Sequence, residues 1–407
     1  MIYFILPLTL ISVTPFLNNP TTLVRSFILI FFGLFLMIFL DRRYFEKNWT
    51  YIFLPAAILI GYTITWRLTE QNTLSFLYGS YGRNIGFLSL VGLFIAYYLA
   101  ITAVNLQTKK IEVALKLTVN LSIAYGILQY LQLDPINWAK DLGPILLTLG
   151  NTNFSSAFLG MISAIPLFFA TREKGWGKAS FFLQYLLIGF LITNTNSSQG
   201  FIVYIISGLY FFALANRASM LKLFELNKIQ LSLIPIALIS ILAAGFVYYK
   251  DFIDKSLQVS ARLEHWGLAI RIIQDNFFLG VGIDNMQNYS SQYLTLSNHK
   301  SWGNYLYPDK SHNVILDSFV NGGILVGTAY FLFVLFILLL IIRMFKSNMN
   351  KNMTLHLFIC IWIGYLLQIM VSPSQLVIDL LGYLAAGSIV GIYKHSIEKS
   401  PIKQNSL

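Results

Sequence analysis

This sequence predicts an all-α integral membrane protein, and three observations predict it. Only 11% of its 407 residues are charged, against roughly 25% in a soluble domain. Hydrophobic residues make up 56% of the chain, and its mean hydropathy is +0.66. The apolar residues fall in continuous runs near the ~20 residues that carry a helix across a bilayer. They lack the period-two alternation of a membrane barrel.

Twelve such runs are predicted: 2–17, 23–40, 51–66, 85–104, 112–131, 149–170, 179–195, 200–216, 230–249, 314–342, 353–372 and 374–393. The first, third, seventh and eighth are short or closely spaced, so eleven is the alternative count. Residues 1–407 read as a single membrane domain. Residues 250–313 are its one long polar loop, and 394–407 are a polar tail expected to be disordered. The N-terminus opens on MIYFILPLTL, with no charged region and no small-residue cleavage site, and reads as the first span. The single cysteine, Cys360, excludes an intramolecular disulfide and a Cys-based zinc cluster.

The net charge of +11 does not imply a nucleic-acid partner, because the basic residues are scattered through loops and form no stripe. Their distribution sets topology instead. Seventeen of the 28 Lys and Arg fall in the even-numbered gaps and the tail. Four fall in the short odd-numbered gaps (Arg25, Arg67, Arg83, Lys140) and six in the long loop. Positive charge marks the cytoplasmic side, so both termini are predicted inside and the long loop outside. Arg67, Arg83, Asn151, Asn153, Gln199, Arg262 and His312 then share the outer membrane boundary, which implies a site opening outward.

Within the long loop, residues 256–273 are predicted helical, with Arg262, Trp266, Ala269 and Ile273 on one face. Such a helix could lie along the membrane surface, with Trp266 at headgroup level. A guanidinium at Arg262 suits an anionic group because its planar fork binds two oxygens at once. The bland alternative is a solvated surface arginine. Gly280 and Gly282 (LGVG) lack the third glycine and preceding strand of a dinucleotide loop, and read as a turn. His312 could accept a proton from a hydroxyl as a general base, or could simply be a hydrogen-bonded interfacial histidine. No His-x-x-x-His or Asp-x-Asp pairing occurs in the outer loops, so no metal site is expected. Tyr289, Tyr293, Trp302, Tyr305 and Tyr307 sit among amides and hydroxyls. They suit either carbohydrate contact or interfacial packing. Earlier in the chain, Tyr81-Gly82-Arg83-Asn84-Ile85-Gly86, Gly150-Asn151-Thr152-Asn153 and Ser197-Ser198-Gln199-Gly200 each open an apolar run. Together they read as the walls of one polar pocket.

The order GRNIG, GNTNF, SSQG, Arg262-x-x-x-Trp266, LGVG and SHNVILDSFVNGGI resembles the O-antigen ligase and O-antigen polymerase superfamily over roughly residues 80–395. The resemblance implies a fold similar to C-type glycosyltransferases. It also implies glycan transfer from a polyprenyl (undecaprenyl) diphosphate donor to a hydroxyl of an acceptor glycan or lipid-linked sugar. This would occur outside the bacterial cytoplasmic membrane, with no metal, cofactor or nucleotide sugar. In that family, the arginine matching Arg262 contacts the donor diphosphate and the histidine matching His312 lies near the acceptor. Arg83, Gln199, Asn151, Asn153, Trp266 and Asn313 complete the expected binding residues. Gln199 stands where the family often has arginine and cannot neutralise a phosphate, so Arg83 is the candidate for that charge. Thr152 and Asn321 replace a common proline and a common acidic residue. The rival class is a polysaccharide transporter or flippase. Its ion-coupling candidates would be Asp317 and Asp379, but no internal repeat supports it. An alkaline-phosphatase fusion at Tyr289 is expected to be active; an inactive one would reverse the topology.

Overall fold

The computed structural model describes residues 1–12, 21–38, 42–104, 108–136, 138, 143–216, 259–295, 298, 307–346 and 352–398. Among them every regular element is helical. In chain order the helices are α1 (Ile5–Ile11), α2 (Thr21–Ile38), α3 (Arg42–Leu68), α4 (Thr73–Tyr78), α5 (Phe87–Ala103), α6 (Thr108–Tyr130), α7 (Thr152–Ile162) and α8 (Ala164–Ala170). They continue with α9 (Gly175–Thr193), α10 (Gln199–Ala215), α11 (Val259–Asp275), α12 (Met286–Tyr293), α13 (Val314–Lys346), α14 (Met353–Ile369) and α15 (Leu376–Glu398). Among the described residues, six helices are long and apolar enough to cross a membrane, and five more are apolar but shorter. Helices are what a bilayer permits, since each unsatisfied backbone group there costs several kcal/mol. The predicted ninth run, 230–249, lies outside the described residues, as do Trp302 and Tyr305.

The bundle has a buried centre. In the joined stretch α7–α8 and in α15, 94% of the most apolar window is buried, against 28% in α3 and α9. Between helices in lipid, close packing substitutes for the hydrophobic effect, and small residues allow it. Helix α15 carries Gly387-Ser388-Ile389-Val390-Gly391, and this small-x-x-x-small face seats against the backbone of Tyr97 and Ile101 on α5. Gly200 of α10 lies directly on the backbone of Ser156 in α7.

Several boundaries differ from expectation. Arg42, Arg43 and Lys47, counted as loop charges, belong to the first turns of α3. Arg25 lies in α2, is 1% exposed, and donates from Nη2 to the Thr148 carbonyl at 2.7 Å. The tail predicted from residue 394 begins later, because α15 continues to Glu398. Lys394 pairs there with Glu398 at 3.8 Å, and the Ser396 hydroxyl donates to the Tyr393 carbonyl.

The tenth run is one long helix interrupted at Gly323, which has φ 61° and ψ −160°. The break is filled by the LGVG turn. Val281 N–H donates to the Val320 carbonyl (2.8 Å), Gly282 N–H to Asn321 (3.0 Å), and Ile324 N–H to Phe277 (2.8 Å). These three bonds pair backbone groups at the interruption with groups of the turn. The same turn is held from α3 by the Thr65 hydroxyl on the Leu279 carbonyl at 2.9 Å. Gln71 adds an amide that both donates to and accepts from Ile283.

That backbone region is essentially reserved for glycine and costs other residues ~1–3 kcal/mol. A Cβ at Gly323 would also collide with the Phe278 carbonyl. Gly323→Ala should therefore lower the melting temperature of the purified protein by several degrees. Gly267→Ala, in α11 with ordinary contact distances, should be neutral or slightly stabilising. Equal melting temperatures for the two variants would refute the role given to the break.

Candidate functional site

The site grows from a three-residue turn, Met370–Ser372, between α14 and α15. Its carbonyls and hydroxyl meet three separate parts of the chain. Arg262 on α11 donates from Nε to the Val371 carbonyl at 2.7 Å. Asn313 donates from Nδ2 to the Met370 carbonyl at 3.3 Å. The Ser372 hydroxyl donates to Gln199 Oε1 at 2.9 Å, and Gln368 Nε2 reaches the same oxygen at 3.2 Å. Three of the predicted site residues are thus gathered by one turn that the sequence reading had not singled out.

Arg262 is 8% exposed. Among the described residues its Nη groups have no hydrogen-bond partner, and burial lowers its pKa. Among the described residues it is the only charged side chain lining a cavity of about 230 Å³, whose other walls include Gln199, Ile202, Trp266, Leu367 and Val371. The predicted face of α11 is recognisable but turned inward. Leu268, Ala269 and Ile272 form a small second core with Val281, Met286 and Val320, so the helix packs onto α13 instead of floating on the surface. Tyr289 and Tyr293 pack against this same core, which favours their packing role.

His312 sits at the mouth of α13 in the left-handed region, φ 58°. Its neighbours form a tight cap. Asn313 Oδ1 accepts from Ile315 N (3.0 Å) and Leu316 N (3.1 Å). Ser311 N–H donates to Asp317 Oδ1 (2.7 Å), and the Ser311 hydroxyl to the Asn313 carbonyl (2.8 Å). These bonds hold the chain in a conformation that L-residues normally avoid. The imidazole of His312 lies 4.9 Å, centroid to centroid, from that of His265, one turn along α11 from Arg262. Burial, then the nearby His265 and Arg83 charges, push the His312 pKa down to about 3. Burial lowers His265 as well.

Arg83 reaches the site from the loop between α4 and α5, but it arrives paired. Its Nε and Nη2 bind the two Asp309 oxygens at 2.6 and 3.2 Å. Burial would raise the Asp309 carboxyl, yet the Arg83 contact outweighs it and holds the group below its usual range. The loop is anchored by Asp284, whose Oδ2 accepts from Ser80 N (2.6 Å) and the Ser80 hydroxyl (2.8 Å). Lys310 forms a buried ion pair with Asp284. Against burial, that carboxylate raises the Lys310 pKa.

Asn151 is exposed and caps α7, its Oδ1 accepting from Asn153 N at 2.8 Å. Among the described residues no hydrogen bond joins Asn151 or Asn153 to Arg262 or His312. They adjoin the site through Ser156, which donates to the Ser197 carbonyl (2.9 Å) and accepts from Gly200 N (3.0 Å). The pocket thus contains Arg262, Trp266 and Gln199, with His312 and Arg83 beside it and the two asparagines on an outer rim. His265, Asp309, Lys310 and Asp284 were missed as site residues. The signal available was charge in the long loop of a chain otherwise poor in it.

Residues 181–331 match the family model described as O-antigen ligase. Over this stretch the chain is similar to the O-antigen ligase family. No curated protein matches the chain. The matched stretch contains Gln199, Arg262, His265, Asp309 and His312 but neither Arg83 nor the Met370–Ser372 turn, so the residues gathered here come from within the match and from both sides of it. No group of three or more His, Cys, Asp or Glu side chains that could hold a metal occurs among the described residues.

A histidine kept neutral in the folded state stays uncharged while the unfolded chain takes a proton below pH ~6.5. Folding stability should therefore fall as pH drops from about 6.5 toward 3. His312→Gln should flatten that fall, measured as melting temperature against pH. An unchanged profile would remove His312 from the buried cluster.

Proposed function

We propose that this protein is an inverting glycan transferase of the bacterial cytoplasmic membrane. The chain crosses the membrane twelve times as a single domain, with both termini inside and the pocket outside. It moves a glycan from a polyprenyl diphosphate donor to an acceptor hydroxyl. One observation carries this reading. Arg262 and Asn313, the chain neighbour of His312, lie 51 positions apart in the long loop and donate to consecutive carbonyls of one turn, beside a cavity that is apolar except for the arginine and two amides.

That combination suits a ligand with a diphosphate at one end and isoprenoid at the other. In this reading the glycosidic C–O bond to the diphosphate breaks as the acceptor oxygen bonds to the same carbon from the opposite face. Charge developing on the leaving diphosphate is met by the Arg262 Nη groups, in a partly desolvated site where such contacts are strong. Arg83 is balanced by Asp309 and serves mainly to position the wall that carries both. A neutral imidazole at His312 is a weak base, but it can accept a hydrogen bond from the acceptor hydroxyl and align it. The diphosphate's negative charge, brought beside it, raises its basicity as the proton leaves. Transfer in this scheme needs no metal, because the leaving group departs as a diphosphate already paired with a guanidinium.

The transporter alternative would need its acidic residues near mid-span. Asp317 and Asp379 instead occupy the first turns of α13 and α15. Counterflow of a labelled oligosaccharide in proteoliposomes, without covalent transfer, would restore that alternative.

Arg262→Ala and His312→Ala should each leave a protein that inserts in membranes but loses glycan transfer, by about 100-fold or more for Arg262. Wild-type transfer by both would sink the assignment. Deleting the gene and sizing the surface glycans then separates two acceptors. Single-repeat products indicate polymerisation, and full-length chains left on the carrier lipid indicate ligation.

A further inference from the structure

Beneath the His312 turn lies a second, separate cavity of about 50 Å³, enclosed by α3, α5, α13, α14 and α15. One water needs roughly 10–15 Å³ on such a measure, so there is room for a small occupant and a few waters. The walls are polar for a space inside a membrane bundle. They include the carboxylates of Asp317 and Asp379, the amide of Asn321, and the ammonium of Lys310. All four residues are at most 6% exposed.

Three of the wall oxygens lack a donor among the described residues: Asp317 Oδ2, Asn321 Oδ1 and Asp379 Oδ1. Their sister groups are already used. Asp317 Oδ1 accepts from Ser311 N at 2.7 Å, and Asp379 Oδ2 is paired with the Ser374 hydroxyl. Tyr62 and Tyr365 approach Asn321 and Asp379 without reaching hydrogen-bond geometry to those oxygens. Tyr365 is shared with Tyr330, hydroxyl to hydroxyl, at 3.3 Å. Lys310, the one cation on the wall among the described residues, is in direct contact with Asp284 and reaches Asp317 and Asp379 only at longer range. Among the described residues these two buried carboxylates have no ion-pair partner of their own, an arrangement that is costly unless the charge is met. The helix N-termini beneath Asp317 and Asp379 offset part of this cost, but they supply no donor to the three open oxygens.

We propose that this cavity binds one sodium-sized cation, held by Asp317, Asp379 and the Asn321 carbonyl, with tyrosine hydroxyls and water completing an all-oxygen shell. Carboxylate, amide and hydroxyl oxygens suit hard cations. Magnesium keeps several of its waters and demands a near-ideal octahedron, which fits poorly in so small a space. The ion would join the first turns of α13 and α15 and fix Asp317, the acceptor that holds Ser311 and so the His312 turn.

The test uses purified full-length protein in nanodiscs, melted in sodium, potassium or choline chloride at constant ionic strength and pH. Sodium should raise the melting temperature saturably by several degrees over choline, with potassium weaker. Asn321→Ala and Asp379→Asn should lose at least half of that sodium-specific rise. Identical melting in all three salts would overturn the proposal and assign the cavity to water. Dependence on pH with none on sodium would overturn it in favour of a protonated carboxyl. Because the wild-type titration alone decides between these results, a variant that fails to fold does not rescue the idea. Stability is read without glycan transfer, so failure here leaves the proposed reaction standing, and the reverse.

Discussion

The candidate site depends on two adjacent carbonyls and one hydroxyl in the turn Met370–Ser372. Arg262, Asn313 and Gln199 come from three distant parts of the chain and converge there. A long polar side chain such as arginine loses up to ~2 kcal/mol of rotamer freedom when fixed. A buried hydrogen bond to one Nε fixes it while leaving the rest of the fork available. This turn gives Arg262 and Asn313 a shared anchor beside the other contacts that hold the long loop to the bundle.

A second constraint works alongside it. The break in α13 at Gly323 and the LGVG turn satisfy one another's backbone groups. In lipid or in a buried interior an unpaired backbone group is expensive, so the interrupted helix and the long loop specify each other. Asp284, two residues past Gly282, then pairs with Lys310 and accepts from Ser80. Arg83 and His312 are placed through the same set of contacts.

Charge around the site is more balanced than a count of arginines implies. Arg83 faces Asp309 and Lys310 faces Asp284, while Arg262 has only a carbonyl. Arg262 is the guanidinium left with unpaired donors among the described residues of this pocket. Burial lowers the pKa of both imidazoles beside it, and the neighbouring His265 and Arg83 lower His312 further. An anionic ligand would enter a site with one uncompensated positive charge and two uncharged, polarisable rings.

The sequence by itself determined the helical membrane class, because apolar runs of bilayer length have few other folds. It also marked Arg262, Gln199, Asn313 and His312, since polar residues at the ends of apolar runs stand out in a charge-poor chain. The glycine pair LGVG was legible as a turn, but not as the partner of Gly323, because backbone complementarity between distant segments leaves no local pattern. For the same reason Arg83's pairing with Asp309 could not be read. Side chains at positions 83 and 309 become neighbours only when α3, α5 and α13 close around the loop. Local composition marked the polar residues at the ends of apolar runs. Only tertiary packing decided which of them are spent on one another and which remain to bind a ligand, because hydrogen bonds and ion pairs between distant segments depend on distances that sequence spacing does not contain.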